Sequence, residues 1–178
     1  RDKNDAGVGE VWVKGPTVMA GYLEEPELTA DAIVDGWLKT GDLGLVDPAG
    51  HLKLMGRAKN MIVTEGGKNI YPEDIEAAFE DLDGVEEHCV FAANYIWPSS
   101  KMTGEQLVVA LKPKDEGIAD ETLAELNSRN RRLTDFKRLS GYVLWEQEFP
   151  RTASMKIKRN QLAKEMAQIN RNDAVRSL

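Results

Sequence analysis

The sequence is poor in the residues that most often carry metal and redox chemistry. One cysteine, Cys89, and two histidines, His51 and His88, serve 178 residues. A lone cysteine excludes an intrachain disulfide, which suits a reducing compartment and points to the cytoplasm. Cys89 sits in the apolar run Cys89-Val90-Phe91-Ala92 and reads as a buried core thiol rather than a nucleophile. The histidines lack the short spacings of zinc sites, so no metal site is expected within the chain. No apolar run approaches the ~20 residues that cross a bilayer, and no basic leader opens the chain, so neither a transmembrane segment nor a secretion signal is expected. Repeats and low-complexity tracts are absent. Positive charge is also short: a net charge of −7 argues against nucleic acid as a partner.

What is present is ordinary for a folded chain. Hydrophobic residues make up 42% and charged residues 30%, enough to bury a core without disulfide or metal staples. The charge is uneven. Residues 128–178 hold 12 Lys+Arg against 5 Asp+Glu, while residues 1–127 hold 11 against 25. A basic end on an acidic chain can meet a phosphate-bearing ligand or an acidic partner, although a solvated helix face explains most of these residues equally well. Residue 1 is Arg and begins mid-pattern, as a piece of a longer polypeptide would.

Patterning predicts two unequal parts. Residues 9–14 alternate as a strand ended by Gly15-Pro16, and 26–34 read as a short helix with Pro26 near its start. A strand over 37–46 is interrupted by Thr40-Gly41-Asp42, and the turn Asp47-Pro48-Ala49-Gly50 leads to a returning strand at 51–55. This part is a small, mostly β unit with few large apolar residues. The second part reads as a strand at 61–63, a helix from Pro72 to Gly84, strands at 88–93 and 106–112, a helix over 120–133, a strand at 142–145 and a last helix from about 158. That order, over roughly 59–170, predicts a compact α+β domain with a small sheet and three helices. Residues 170–178 are polar and read as a disordered tail.

Three segments are poorly explained by local structure. Gly36-Trp37-Leu38-Lys39-Thr40-Gly41-Asp42-Leu43-Gly44 places a carboxylate beside a backbone constraint, and such a carboxylate can accept two hydrogen bonds from a diol. The run from Gly56 to Pro72 contains Gly66-Gly67, which lets backbone approach a ligand closely. It is not a phosphate-binding P-loop, because Ile62 stands where the first glycine is needed and Asn69 follows Lys68. Phe149-Pro150-Arg151-Thr152-Ala153-Ser154-Met155-Lys156-Ile157-Lys158-Arg159 is a basic, hydroxyl-bearing loop running into a helix. Read singly, each is also compatible with a plain turn or a solvated helix start.

In this order and spacing, the three segments resemble the C-terminal part of the AMP-forming adenylating enzymes, as do Gly9-Glu10-Val11-Trp12-Val13 and Gly21-Tyr22-Leu23. The stretch Gly66-Gly67-Lys68-Asn69-Ile70-Tyr71-Pro72-Glu73-Asp74-Ile75-Glu76 is most similar to acyl-CoA synthetases, especially bacterial fatty-acyl ones. The resemblance implies a chemistry in two halves. A carboxylic acid attacks the α-phosphate of ATP to give acyl-AMP and pyrophosphate, and the thiol of CoA then attacks acyl-AMP. It implies that residues 1–57 end a larger N-terminal adenylation domain and that residues 58–178 are a mobile lid, which rotates between the halves. By the same resemblance Lys156 is the adenylation lysine, Asp42 and Arg57 bind the ribose and phosphate of ATP, Gly66 and Gly67 line the pantetheine channel, and Lys59 is the hinge. Relatives carry Gly before the lysine; Met155 departs from this, and would be strained if that position needs φ > 0. The family's phosphate loop, acyl pocket and Mg²⁺ site lie in the N-terminal domain, so the isolated chain is expected to be inactive, and a long-chain fatty acid is the expected substrate. Two other readings stay open: the tail of a carrier-protein-loading ligase, with the basic residues after 128 helping to dock an acidic carrier, and a stand-alone binding module.

Overall fold

The computed structural model describes residues 1–64, 66–98 and 106–178. They form two compact units, Arg1–Met61 and Ile62–Leu178. The first unit contains β1 (Gly9–Val13), α1 (Pro26–Ala32), β2 (Ile33–Val34), β3 (Trp37–Val46) and β4 (Leu52–Arg57). β3 is its spine and pairs antiparallel with β1, β2 and β4. The expected interruption at Thr40-Gly41-Asp42 takes the form of a bulge: Gly41 has φ +70, and the register against β1 shifts between Glu10 and Trp12. Among the described residues of this unit, Val8 is the one hydrophobic side chain that is buried, while Tyr22, Leu23, Leu28, Leu52 and Leu54 are exposed.

The second unit runs β5 (Ile62–Val63), β6 (Asn69–Ile70), α2 (Pro72–Glu76), β7 (Val85–Ala92), α3 (Ala93–Ile96), β8 (Leu107–Pro113), α4 (Asp120–Arg132), β9 (Leu139–Leu144), α5 (Arg159–Met166), α6 (Arg171–Ala174) and β10 (Val175–Ser177). Its main sheet has the order β10-β9-β8-β7, with β8 and β9 parallel and the other pairs antiparallel. α4 makes the long connection that a parallel pair requires. Acidic Asp120 and Glu121 in its first turn and Arg129, Arg131 and Arg132 in its last suit the helix dipole.

The period of two along the strands sorts the core into two clusters. Val90, Leu107, Val109 and Leu111 join Ile70, Ile75, Phe79 and Leu126 on one face of the sheet. Cys89, Phe91, Val108, Ala110 and Val143 join Phe149, Leu162 and Met166 on the other. The sheet is therefore covered on both faces, and its strands read as nearly continuous apolar runs.

The α+β reading holds, with three local corrections. The helix expected to reach Gly84 is α-helical only to Glu76, becomes a 3₁₀ turn over Ala77–Phe79, and gives way at Glu80. Asp81 takes φ +57, a conformation that a short polar side chain tolerates and that cannot continue a helix. β9 begins at Leu139, earlier than the apolar pattern indicated. Residues 170–178 are not a loose tail: α6 leads into β10, which pairs Val175 with Val143 and Ser177 with Gly141. An edge strand is held by backbone hydrogen bonds and needs no apolar alternation. Gly141 makes the approach possible, since a Cβ there would stand 2.7 Å from the Arg176 carbonyl oxygen.

Candidate functional site

Four turns among the described residues share one hydrogen-bond scheme: Asn4–Val8, Asp47–His51, Thr64–Lys68 and Thr152–Lys156. In each, the first residue's N–H donates to the fifth residue's carbonyl at 2.9 Å, and the fourth residue's N–H donates to the first residue's carbonyl at 2.8–2.9 Å. The side-chain oxygen of the first residue then accepts the fifth residue's N–H, at 3.0, 2.8, 2.9 and 3.1 Å in chain order. The fourth residue lies in the left-handed region, with φ +77 at Gly7, +89 at Gly50, +73 at Gly67 and +64 at Met155. This is a type I turn closed by a left-handed residue, and glycine is the residue that adopts that position without steric cost. Three of the four turns use it; the exception is Met155.

Two of these turns carry sequence-predicted site residues, and both belong to the second unit. Gly66 and Gly67 lie in Thr64–Lys68, the connection between β5 and β6; Glu65 lies outside the described residues. Gly67 is explained by its φ. Gly66 is not: among the described residues a Cβ there would meet only Thr64 Oγ1, at 3.9 Å, and its φ is unexceptional. The packing of the described residues therefore gives no reason for a glycine at 66. Lys68 Nζ stands 4.4 Å over the Phe136 ring, and Lys137 pairs with Asp74. The apolar feet of this hairpin, Ile62 and Ile70, belong to the first core cluster.

Lys156 is exposed at the fifth position of the other turn, which is closed further by a bridge between Arg151 and Ile157. Its feet, Phe149 and Ile157, belong to the second cluster. The two hairpins thus stand on opposite faces of the same sheet. Met155 is confirmed at positive φ, so the strain foreseen at this departure is real, and its side chain is exposed.

In the first unit, Asp42 and Arg57 are cross-strand partners on β3 and β4, with Arg57 Nε 3.0 Å from Asp42 Oδ1. Arg57 Nη1 also donates to the Thr40 carbonyl at 3.0 Å, which fixes the guanidinium across the bulge. Both side chains are partly exposed, and together they offer a carboxylate for hydroxyl donors and a cation for phosphate oxygens. Lys59 is exposed in a 3₁₀ turn, Ala58–Asn60, just before the boundary between the units at Met61.

Sequence reasoning missed the charged residues that hold the Lys156 hairpin. Arg151 pairs with Glu87 of β7 and donates through Nη1 to the Met155 carbonyl. Arg159, at the start of α5, pairs with Glu76 of α2 and donates to the Val90 carbonyl at 3.0 Å, while Glu76 Oε1 accepts the Val90 N–H at 2.6 Å. The two ion pairs join residues 64 and 83 positions apart in sequence, and no local pattern announces them. Cys89 is buried, and desolvation pushes its thiol well above the ordinary range, as expected of a core thiol. Among the described residues no group of three or more His, Cys, Asp or Glu could hold a metal ion, and no helix is long and apolar enough to cross a membrane.

No family model matches the chain. Individual proteins do. The propanoyl:CoA ligase from Rhodococcus jostii that acts on a methyl-dioxo-octahydroindenyl acid is 39% identical over 160 residues, covering 88% of this chain and 29% of that protein. The long-chain-fatty-acid–CoA ligase of Yersinia pestis is 34% identical over 176 residues, covering 97% of this chain and 30% of the ligase. In structure, the o-succinylbenzoate CoA synthetase of Bacillus subtilis in complex with its acyl-adenylate intermediate superposes with a TM-score of 0.71 at 33% identity, over 87% of this chain and 30% of that one. The relatives are CoA ligases, the structural neighbours include AMP-forming adenylating enzymes, and the chain matches the C-terminal part of that superfamily. Its curated relatives there are CoA ligases, of whose length it spans about 30%.

Proposed function

We propose that this chain is the C-terminal portion of an ATP-dependent acyl-CoA synthetase, with residues 58–178 as its mobile lid and residues 1–57 as the end of its large domain. The observation that carries this reading is the placement of the two hairpins on opposite faces of one sheet. A lid that serves two half-reactions needs two faces, and a rotation near Lys59 presents them in turn. The sparse core of the first unit supports the assignment to a larger domain, whose remaining chain would cover Leu23, Leu28 and Leu54.

In the adenylation state, Lys156 bridges the attacking carboxylate and the α-phosphate, stabilising charge that grows in the transition state. Asp42 accepts the ribose hydroxyls, and Arg57 holds Asp42 while reaching the ribose or a phosphate oxygen. In the thioester state, the bare backbone at Gly66 and Gly67 admits the pantetheine arm of CoA. Any Mg²⁺ that accompanies ATP would be held by residues of the large domain, where it would screen the phosphate charge. The Yersinia ligase matches 97% of this chain and makes a long-chain fatty acid the substrate to test first, although the acyl pocket belongs to the large domain, and the buried lone cysteine suits a cytoplasmic protein.

The test uses the full-length ligase that carries this sequence. Lys156→Ala should abolish acyl-AMP formation, read as pyrophosphate release, and spare thioester formation from supplied acyl-AMP. Equal loss in both halves would overturn the reading. Lys59→Pro should spare the first half preferentially, and a panel of acyl chains decides the substrate.

A further inference from the structure

We infer that Arg151, locked by Glu87, is a positioning residue that sets the Lys156 peptide in the orientation adenylation requires. This rests on the role proposed above for Lys156.

The inference starts from the exception among the four turns. Met155 occupies a position that glycine fills in the other three, and its left-handed φ is disfavoured for a side chain with a Cβ. Something outside the turn has to hold it. The Arg151 guanidinium donates to the Met155 carbonyl, which belongs to the peptide joining Met155 to Lys156. Among the described residues, no side chain makes the equivalent bond to the carbonyl of Gly7, Gly50 or Gly67. The guanidinium is held in turn by the Glu87 carboxylate.

Glu87 is a fixed point. It lies on β7 just past a register shift, on the sheet face shared by Cys89 and Phe91, and its side chain is 15% exposed. Its second oxygen, Oε2, is buried without a hydrogen-bond partner. A carboxylate so placed depends on the guanidinium, and it orients Arg151 strongly because its alternatives are poor. Arginine suits the task because its planar fork serves the carboxylate through Nη2 and the carbonyl through Nη1 at once. The sheet is thereby connected through two side chains to the peptide bearing the lysine.

The experiment uses the full-length ligase, with Glu87→Gln and Arg151→Gln combined so that no buried carboxylate is left unpaired. Acyl-AMP formation should fall on the order of tenfold in kcat with KM for ATP little changed, matching the release of a strained peptide. Thioester formation from supplied acyl-AMP should be unchanged, and deuterium uptake of the peptide spanning 151–157 should rise. Adding Met155→Gly should restore both adenylation and protection, because glycine holds the left-handed conformation unaided. Arg151→Lys should not restore them, because an ammonium is a point charge that cannot keep both partners. Unchanged uptake, equal loss in both half-reactions, or failure of Met155→Gly to rescue would each overturn the inference. If Lys156→Ala itself spares acyl-AMP formation, the functional reading fails instead, and deuterium uptake alone decides whether the clamp exists.

Discussion

The turns Thr64–Lys68 and Thr152–Lys156 share their hydrogen bonds, their capping threonine and their terminal lysine, and they differ in the residue at the left-handed position. Thr64–Lys68 has Gly67 there, a bare Gly66 before it, and no described atom within 4 Å of where a Gly67 side chain would begin. Thr152–Lys156 has Met155, and its carbonyl is held by Arg151. One turn is relaxed and bare at its third and fourth positions; the other is strained and braced. A surface that a ligand arm must pass gains from removing atoms. A lysine that must meet a developing charge gains from being fixed, because an ångström of misplacement can cost about 10²-fold in rate.

The largest expected difference lies at the matched lysines. Lys156→Ala should lower acyl-AMP formation by on the order of 10²–10³. Lys68→Ala, at the same position of the other turn, removes a cation–π contact with Phe136 worth about 0.5–1 kcal/mol and should leave adenylation unchanged. Pyrophosphate release from both variants of the full-length ligase checks the pair. Equal losses would mean that the fold, and not the chemistry, selects lysine at the fifth position.

The next difference lies at the glycines. Gly66→Val should slow thioester formation from supplied acyl-AMP on the order of 10²-fold, by obstructing a passage that the described residues leave open. Its effect on stability should stay within about 0.5 kcal/mol, as for an exposed site without special backbone geometry. A large stability loss with unimpaired thioester formation would make Gly66 a structural residue.

A swap at the left-handed position should produce smaller shifts of opposite sign. Met155→Gly removes roughly 1–2 kcal/mol of conformational strain and adds about 0.5–1 kcal/mol of glycine's chain entropy, for a net gain between about 0 and 1.5 kcal/mol. Gly67→Met should lose a similar amount, since its side chain would enter open space. Denaturant midpoints moving in the same direction for both variants would show that φ is not what separates the two turns.

How far these features were legible in the sequence follows from their range. Lys156, Gly66, Gly67, Asp42 and Arg57 sit in short motifs; the turn at Asp47–Gly50 brings β3 and β4 together, but its register alone would set Asp42 opposite Gly56, and a shift between Leu43 and Gly44 makes Arg57 the partner. The common turn scheme was harder to see, because its first residue varies among Asn, Asp and Thr and one of its left-handed residues is not glycine. Its faint signal is a short oxygen-bearing side chain three residues before each left-handed position. β10 escaped notice because an edge strand held by its backbone carries no apolar period. The Glu87–Arg151 and Glu76–Arg159 pairs depend on the tertiary packing of α5 and its leading hairpin against β7, which no local window contains.

The smallest expected effect separates the threonine-capped turns from the aspartate-capped one. Asp47 fills the role of Thr64 and Thr152 with a titratable oxygen, and the His51 backbone N–H that it accepts, with further bonds from the His51 ring and from Ala49 and Gly50, holds its carboxyl below the ordinary value of 3.8. A carboxylate with a depressed pKa stabilises the fold while ionised. Its contribution is present above the unfolded value and disappears as pH falls through the lower folded one. Asp47 is partly exposed, so solvent screens the effect and the change should be confined to its own turn. Amide exchange at His51, corrected for intrinsic rates, should therefore lose protection as pH drops below 3.8. Lys68 and Lys156, capped by hydroxyls that do not titrate, should keep theirs. Parallel loss at all three amides would mean that acid loosens the whole chain and that the capping side chain does not set the local response.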